Sequence, residues 1–266
     1  MPPLLAGGVR FVLAGAVVYA VLLARRGAAA LRVERSELVA CAVVGTLLVT
    51  GGNGLVMVAE QDVPSALAAL IIASVPLWVV LMRKLTGEPV AGGTLFGVGI
   101  GFVGVAILLL PGGEEGGGIG GFLLVVAAAV CWASGSFLSK RMPLPRDPFL
   151  STALQMLIGG AVALVAGLAA GEAGSVHAEE FSTDSLLAFA YLITFGSLLA
   201  YTTYVWLLQH VPISKVATYA YVNPVIAILL GWLILSEDIT AVILAGAAVI
   251  VASVAAIVRK ESAPAE

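Results

Sequence analysis

Charge is scarce in this chain. Only 11% of its residues are Asp, Glu, Lys or Arg, against roughly 25% in soluble domains. A water-solvated surface of ordinary extent is therefore excluded. Cysteine is scarcer still: Cys41 and Cys131 both fall inside apolar runs, which argues against a disulfide and reads as buried thiols. His177 and His210 are distant in sequence, and no set of His, Cys, Asp and Glu has metal-ligand spacing. No phosphate loop is present, so no catalytic group, cofactor or metal is expected. The net charge of −3 says little about partners, but the placement of the charges says much.

Hydrophobic residues make up 61% of the chain. A helix needs roughly 20 residues to cross a hydrocarbon core, and nine stretches qualify: Leu4–Leu23, Leu38–Ala59, Pro64–Met82, Gly92–Leu110, Ile119–Leu138, Phe149–Ala169, Leu186–Leu208, Ser214–Leu235 and Thr240–Val258. Helices are expected because a helix satisfies its own backbone in lipid, and barrel strands are half as long. The first stretch lacks a basic leader and is followed by Arg25-Arg26, so it reads as a span and not as a cleaved signal.

Every Lys and Arg except Arg10 falls in alternate gaps: Arg25, Arg26, Arg32 and Arg35; Arg83 and Lys84; Lys140, Arg141 and Arg146; Lys215; Arg259 and Lys260. The other gaps hold Glu60 and Asp62, Glu114 and Glu115, Glu172, Glu179, Glu180 and Asp184, then Glu237 and Asp238. Basic short loops stay cytoplasmic. The basic gaps and the C-terminus are thus expected inside, and His177 outside.

The chain also repeats. At a shift of 148 positions Gln61 meets Gln209, Val63-Pro64 meets Val211-Pro212 and Pro76 meets Pro224. At 149, Glu88 meets Glu237 and Gly97 meets Gly246; at 145, Pro3 meets Pro148, Phe11 meets Met156 and Gly15 meets Gly160. The expected organisation is a first repeat over 1–115 and a second over 116–266. A five-helix unit is odd, so its second copy enters the membrane inverted, an arrangement that transporters favour. The first copy shows four spans; Ile119–Leu138 has no partner before Pro3. Back-counting from Pro148 to Gly118 on that repeat logic predicts that roughly 30 residues, holding the missing helix, are absent upstream of Met1.

Particular residues carry a resemblance. Gly52-Asn53-Gly54 running to Val58-Ala59-Glu60, then Val63-Pro64-Ser65 and Val75-Pro76-Leu77, resembles the EamA-type exporters of the drug/metabolite transporter superfamily. Tyr219-Ala220-Tyr221-Val222-Asn223-Pro224, Arg10-Phe11, Gln155-Met156 with Gly159-Gly160, and Trp132-Ala133 with Gly135-Ser136 are similar to its bacterial YedA-like subgroup. The likeness covers essentially the whole chain. It implies an all-α, ten-helix inverted-repeat carrier of the inner membrane, exporting small metabolites or drugs. Its cavity-lining first helix, rich in Trp and Gly, is the one this sequence lacks.

Polar groups within spans usually face a bundle interior or a wet cavity. Arg10 lies about 9 Å into its span at 1.5 Å per residue; it either contacts an anionic group or snorkels outward and bonds a carbonyl. Gln155 holds the matching place in the other half, which favours a structural role for both. Asn53, between two glycines, and its repeat partner Tyr201, near Tyr204, either line a cavity or bond between helices. Tyr219 and Asn223 share a helix face, and with Tyr221 they supply phenols and an amide beside Pro224. Trp132 and Ser136 share a face of the unpaired helix, with Lys140 following. Pro76 and Pro224 each free a carbonyl in mid-helix. A matched pair of kinks would serve as hinges. Trp78 and Trp206 read as interfacial anchors or cavity walls. Gly97 with Gly101, and the stripe Ala248, Ala252 and Ala256, read as seams for close helix packing.

The leading expectation is a secondary transporter that exports a small organic solute by alternating access, with Asn53, Trp132, Ser136, Tyr201, Tyr204, Tyr219, Tyr221 and Asn223 about the solute. Besides that solute and the lipid bilayer, protons as a coupling ion and a second copy of the chain are the partners considered; nucleic acid is not. No Asp or Glu lies at mid-span, where proton-coupled carriers often keep one, and Glu60 and Glu237 read as interfacial acids. Two other classes stand beside this. A non-transporting scaffold or truncated remnant would leave the missing helix unrestored. An enzyme acting on a lipid-linked substrate would need acids, His or Lys clustered at one interface, and none is found.

Overall fold

Lipid offers the backbone no hydrogen-bond partner, so each apolar run closes its own bonds as helix. The computed structural model describes residues 1–108, 118–176, 181–216, 219–235 and 240–262. Within them lie α1 (Pro3–Arg26), α2 (Arg35–Ala59), α3 (Ser65–Leu85), α4 (Gly92–Leu108), α5 (Ile119–Ser139), α6 (Pro148–Ala169), α7 (Thr183–His210), α8 (Tyr219–Leu235) and α9 (Ala241–Ser262). α1, α2, α3, α5, α6 and α7 are long and apolar enough to cross a membrane; the apolar parts of α4, α8 and α9 are shorter. Each of the nine expected spans is helical in its described residues, apart from Pro64, Thr240 and the turn at Ala73–Ser74. Glu114, Glu115, His177, Glu179, Glu180, Glu237 and Asp238 lie outside those residues, as do the side chains of Lys215, Tyr221, Pro224, Arg259 and Lys260.

Three departures from plain α-helix matter for the site. α2 widens to a π-helix over Thr46–Gly54, and α7 does so over Leu192–Tyr201. The shift of 148 carries 46–54 onto 194–202, so the two stretches match across the repeat. α3 breaks at Ala73–Ser74, giving the pieces Ser65–Ile72 and Val75–Leu85. Pro76 then stands in the first turn of the second piece, where its missing N–H costs nothing. Pro224, by contrast, lies within the uninterrupted helical backbone of α8.

The chain divides into two compact units. The first is Met1–Met57 with Leu138–Val211, the second Val58–Phe137 with Pro212–Glu266. Repeat mates fall together: α1 with α6 and α2 with α7 in the first unit, α3 with α8 and α4 with α9 in the second.

In the first unit α1 and α6 run antiparallel. The Leu4 and Leu5 amides donate to the two carboxylate oxygens of Glu172, just past α6, at 3.2 and 2.8 Å. At the other end Arg26 pairs with Asp147, which also caps α6 by accepting from the Phe149 amide. Between these ends the helices touch through glycine. A Cβ on Gly8 would meet Gly160 O at 2.9 Å, and one on Gly15 would meet Ala153 O at 3.0 Å. The shift of 145 turns Gly8 into Ala153 and Gly15 into Gly160, so it maps one contact onto the other.

The second unit is cored by Leu70, Ile71, Leu77, Val98, Val125, Ile250, Val254 and Ile257. Here α4 supplies the glycines and α9 the knobs: Gly97 sits against Ile257, and Gly104 against Ile250. Ser253 Oγ donates to Gly97 O at 2.5 Å. The expected alanine seam is corrected by this packing. Ala248, Ala252 and Ala256 are exposed, because the groove is cut by Gly97, Gly101 and Gly104 and is filled by branched side chains.

Candidate functional site

Within the first unit, α1, α6 and the π-helical part of α7 bring a chain of polar groups together. Arg10, eight residues into α1, is only 8% exposed. It does not snorkel: its Nε donates to Ser197 Oγ at 2.8 Å, in the π-helical stretch of α7. Its guanidinium lies 4.7 Å from the centre of the Phe11 ring. The Phe11 ring in turn meets Tyr201 edge-on, at 5.5 Å between centroids. Tyr201 Oη donates to Gln155 Oε1 at 3.2 Å, and Gln155 Nε2 donates to Ser151 Oγ at 2.9 Å. Arg10 and Gln155 are repeat mates, and they reach positions one turn apart on α7. They are not chemically equivalent. Gln155 satisfies both ends of its amide, whereas Arg10 has no ion-pair partner among the described residues.

The other π-helical stretch packs on α6 through its own polar groups. Thr50 Oγ1 donates to Gly159 O at 2.7 Å. A Cβ on Gly45 would lie 2.5 Å from Gln155 O. Asn53 is half-buried and turns its Nδ2 back to Leu48 O at 3.0 Å, five residues earlier. A π-helix has a wider, less tightly packed turn than an α-helix and recurs at functional sites. Asn53 and Tyr201, repeat mates, each fall within one. Tyr204 follows Tyr201 on α7 and is half-buried. Thr202 Oγ1 and Gln209 Nε2 are buried without a hydrogen-bond partner among the described residues.

Lys140 closes the cytoplasmic end expected for α5, donating to Val211 O at 3.0 Å. Burial lowers its ammonium below the ordinary lysine range.

The remaining candidates belong to the second unit. Trp132 is half-buried against Val75, Val79, Ala129 and Ala133. Ser136 is buried one turn on, and its hydroxyl donates to Trp132 O at 2.7 Å. Pro76 is buried at the α3 break, where Trp78 Nε1 donates to Ser74 Oγ at 3.2 Å and the Trp78 ring meets Phe102 edge-on. On α8, Tyr219 is half-buried and Asn223 exposed. Trp206, in the first unit, is exposed and stacks on His210. Arg10 and Tyr201 are thus joined through Phe11, and Trp132 and Ser136 adjoin; Asn53 bonds within its own helix.

Ser197, Ser151 and Thr50 were not singled out by the sequence. Their signal is faint, since a hydroxyl in a span commonly bonds its own helix. Only the helix pairing shows that Ser197 receives a guanidinium.

Apolar helices that pack through glycine seams and hide polar chains inside the spans define a multi-pass membrane protein. The model of the EamA-like transporter family matches residues 1–110 and 119–259, and the chain belongs to that family. It is 37% identical to the uncharacterized inner membrane transporter YedA of Escherichia coli K12 over 232 residues, 86% of this chain and 73% of that protein. It is 29% identical to the uncharacterized transporter YvbV of Bacillus subtilis over 265 residues, 98% and 84% of the two chains. One crystal structure shares the fold at a TM-score of 0.65 and 23% identity, covering 99% of this chain and 90% of the other. The protein is a multi-pass membrane transporter, and its partners are a small solute and the lipid around it.

Proposed function

We propose that this transporter exports a small organic solute across the cytoplasmic membrane by alternating access. The observation that carries the reading is the matched pair of π-helical stretches with Asn53 and Tyr201 in them. Regular helices would serve a static scaffold; two widened helices at repeat-related positions leave the backbone able to change register. The solute is handled by Asn53, Tyr201 and Tyr204 in the first unit, and by Trp132, Ser136, Tyr219, Tyr221 and Asn223 in the second. Amides, phenols and an indole suit an amphipathic organic body. Pro76 and Pro224 act as hinges; the break at Ala73–Ser74 already divides α3 just before Pro76. The basic gaps and the C-terminus lie on the cytoplasmic side, and the two sequence repeats, 1–115 and 116–266, are the inverted halves. Protons are the coupling ion considered, with a homodimer as the assembly.

Efflux from vesicles reconstituted with the full chain tests the reading. Vesicles are loaded with phenylalanine, phenylacetate, phenylacetamide or spermidine. Saturable efflux of at least one solute above protein-free vesicles is expected, and protein-free rates for all of them would remove export. The hinge has its own test in Pro224→Ala, which restores a backbone donor. Efflux is expected to fall while the thermal midpoint in detergent holds. Efflux at the wild-type rate would make the proline incidental.

A further inference from the structure

Arg10 is a full charge placed about 10 Å along α1 from Pro3, at 1.5 Å per residue. A charge at such depth is costly unless paired. Here the pairing is half made. Nε is taken by Ser197 Oγ at 2.8 Å. The Nη1 and Nη2 groups have no hydrogen-bond partner, and Arg10 no ion-pair partner, among the described residues. An arginine kept only to brace helices would spend those donors on carbonyls. Instead the fork lies against Gly196, where a Cβ would come within 2.7 Å of Nη2 and 3.4 Å of Cζ. The residue beside the fork is therefore one with no side chain to block it.

We infer that Arg10 and Ser197 form a subsite for the carboxylate of an organic solute, with Gly196 leaving the guanidinium fork open. This rests on the transporter reading and names the class of solute. Guanidinium binds carboxylate through two parallel N–H···O bonds. With Nε committed, the free edge is the pair of Nη groups, an end-on fork that matches two carboxylate oxygens. One guanidinium balances one negative charge, and every other Lys or Arg lies at or beyond the end of a span. A phosphate dianion would be left under-neutralised. The Phe11 ring at 4.7 Å and Leu192, which also borders Gly196, make the surroundings apolar. That suits a carboxylate on an organic body better than a small hydrated ion. Gln155, which the shift of 145 pairs with Arg10, is neutral and has its amide oxygen and nitrogen each bonded, so it repeats neither the charge nor the open fork, and the solute is held in one orientation.

The test is thermal stabilisation of the purified full chain in detergent, using acetate, benzoate and phenylacetate against benzamide, phenylacetamide and chloride. Benzoate and phenylacetate are expected to raise the melting midpoint saturably, with the amides and chloride inert. Arg10→Gln should abolish the shift. Gly196→Ala crowds only the far end of a flexible side chain, so it is expected to fold normally and weaken carboxylate binding at least tenfold; it carries the test if Arg10→Gln does not fold. Equal shifts from acid and amide overturn the subsite, as do a response to chloride alike, no saturable shift with any carboxylate, or wild-type binding in Gly196→Ala. Saturable efflux of phenylacetamide without any carboxylate effect would overturn the subsite and leave the transporter standing. Carboxylate binding with no flux of any solute would do the reverse.

Discussion

At the scale of single residues, Tyr201 and Gln155 show how the first unit is held inside the membrane. Hydrogen bonds between helices in lipid are worth only about 0.6 kcal/mol on average. Leaving a buried acceptor unmade costs about 1–3 kcal/mol. Tyr201→Phe strands Gln155 Oε1, since the amide nitrogen is already committed to Ser151. The penalty should therefore exceed the bare bond. A loss of about 1–2 kcal/mol is expected on that ground, read as a lower thermal midpoint in detergent; an unchanged midpoint would mean that Gln155 finds another donor. The sequence made Tyr201, Gln155 and Arg10 visible because polar groups in apolar runs stand out. It could not show that Arg10 bonds Ser197, because that depends on which turns of α1 and α7 face each other.

At the scale of helices, glycine decides which faces touch. A Cβ on Gly159 would lie 2.5 Å from Gly45 O, backbone against backbone, and neither helix can yield without moving whole. Gly159→Ala is expected to destabilise the protein by about 1–3 kcal/mol through overpacking. Gly99 is the control, with nothing within 4 Å of its Cβ position. Gly99→Ala removes a helix-weakening residue and should hold or raise stability by up to about 1 kcal/mol. Equal melting midpoints for the two variants would contradict the packing. Span positions were readable from hydropathy, since each run had to be helical. The π-helical stretches over Thr46–Gly54 and Leu192–Tyr201 and the Ala73–Ser74 break were not, because hydropathy marks a run as helical without telling an α turn from a π turn or a short break. The alanine stripe of α9 misled for a related reason. Small residues permit close approach but do not compel it, and the glycines of α4 had already made the groove.

At the scale of the whole molecule, the repeat and the sorted charges were the most informative parts of the sequence. Shifts of 145 and 148 pair residues along the sequence, and the first of them maps the Gly8–Gly160 contact onto the Gly15–Ala153 contact. Orientation rests on Lys and Arg alone. His177→Cys should react with a membrane-impermeant maleimide in intact cells and Lys215→Cys should not; the opposite pattern would invert the topology. A carrier exposes its site to one side at a time, and counterflow reads that property directly. Vesicles holding unlabelled solute, chosen from those that show saturable efflux, are diluted into a trace of the labelled form. A carrier that alternates exchanges one for the other, so label should accumulate transiently above equilibrium and in proportion to the internal solute. Label that enters only to equilibrium, at a rate indifferent to what the vesicle holds, would contradict alternating access.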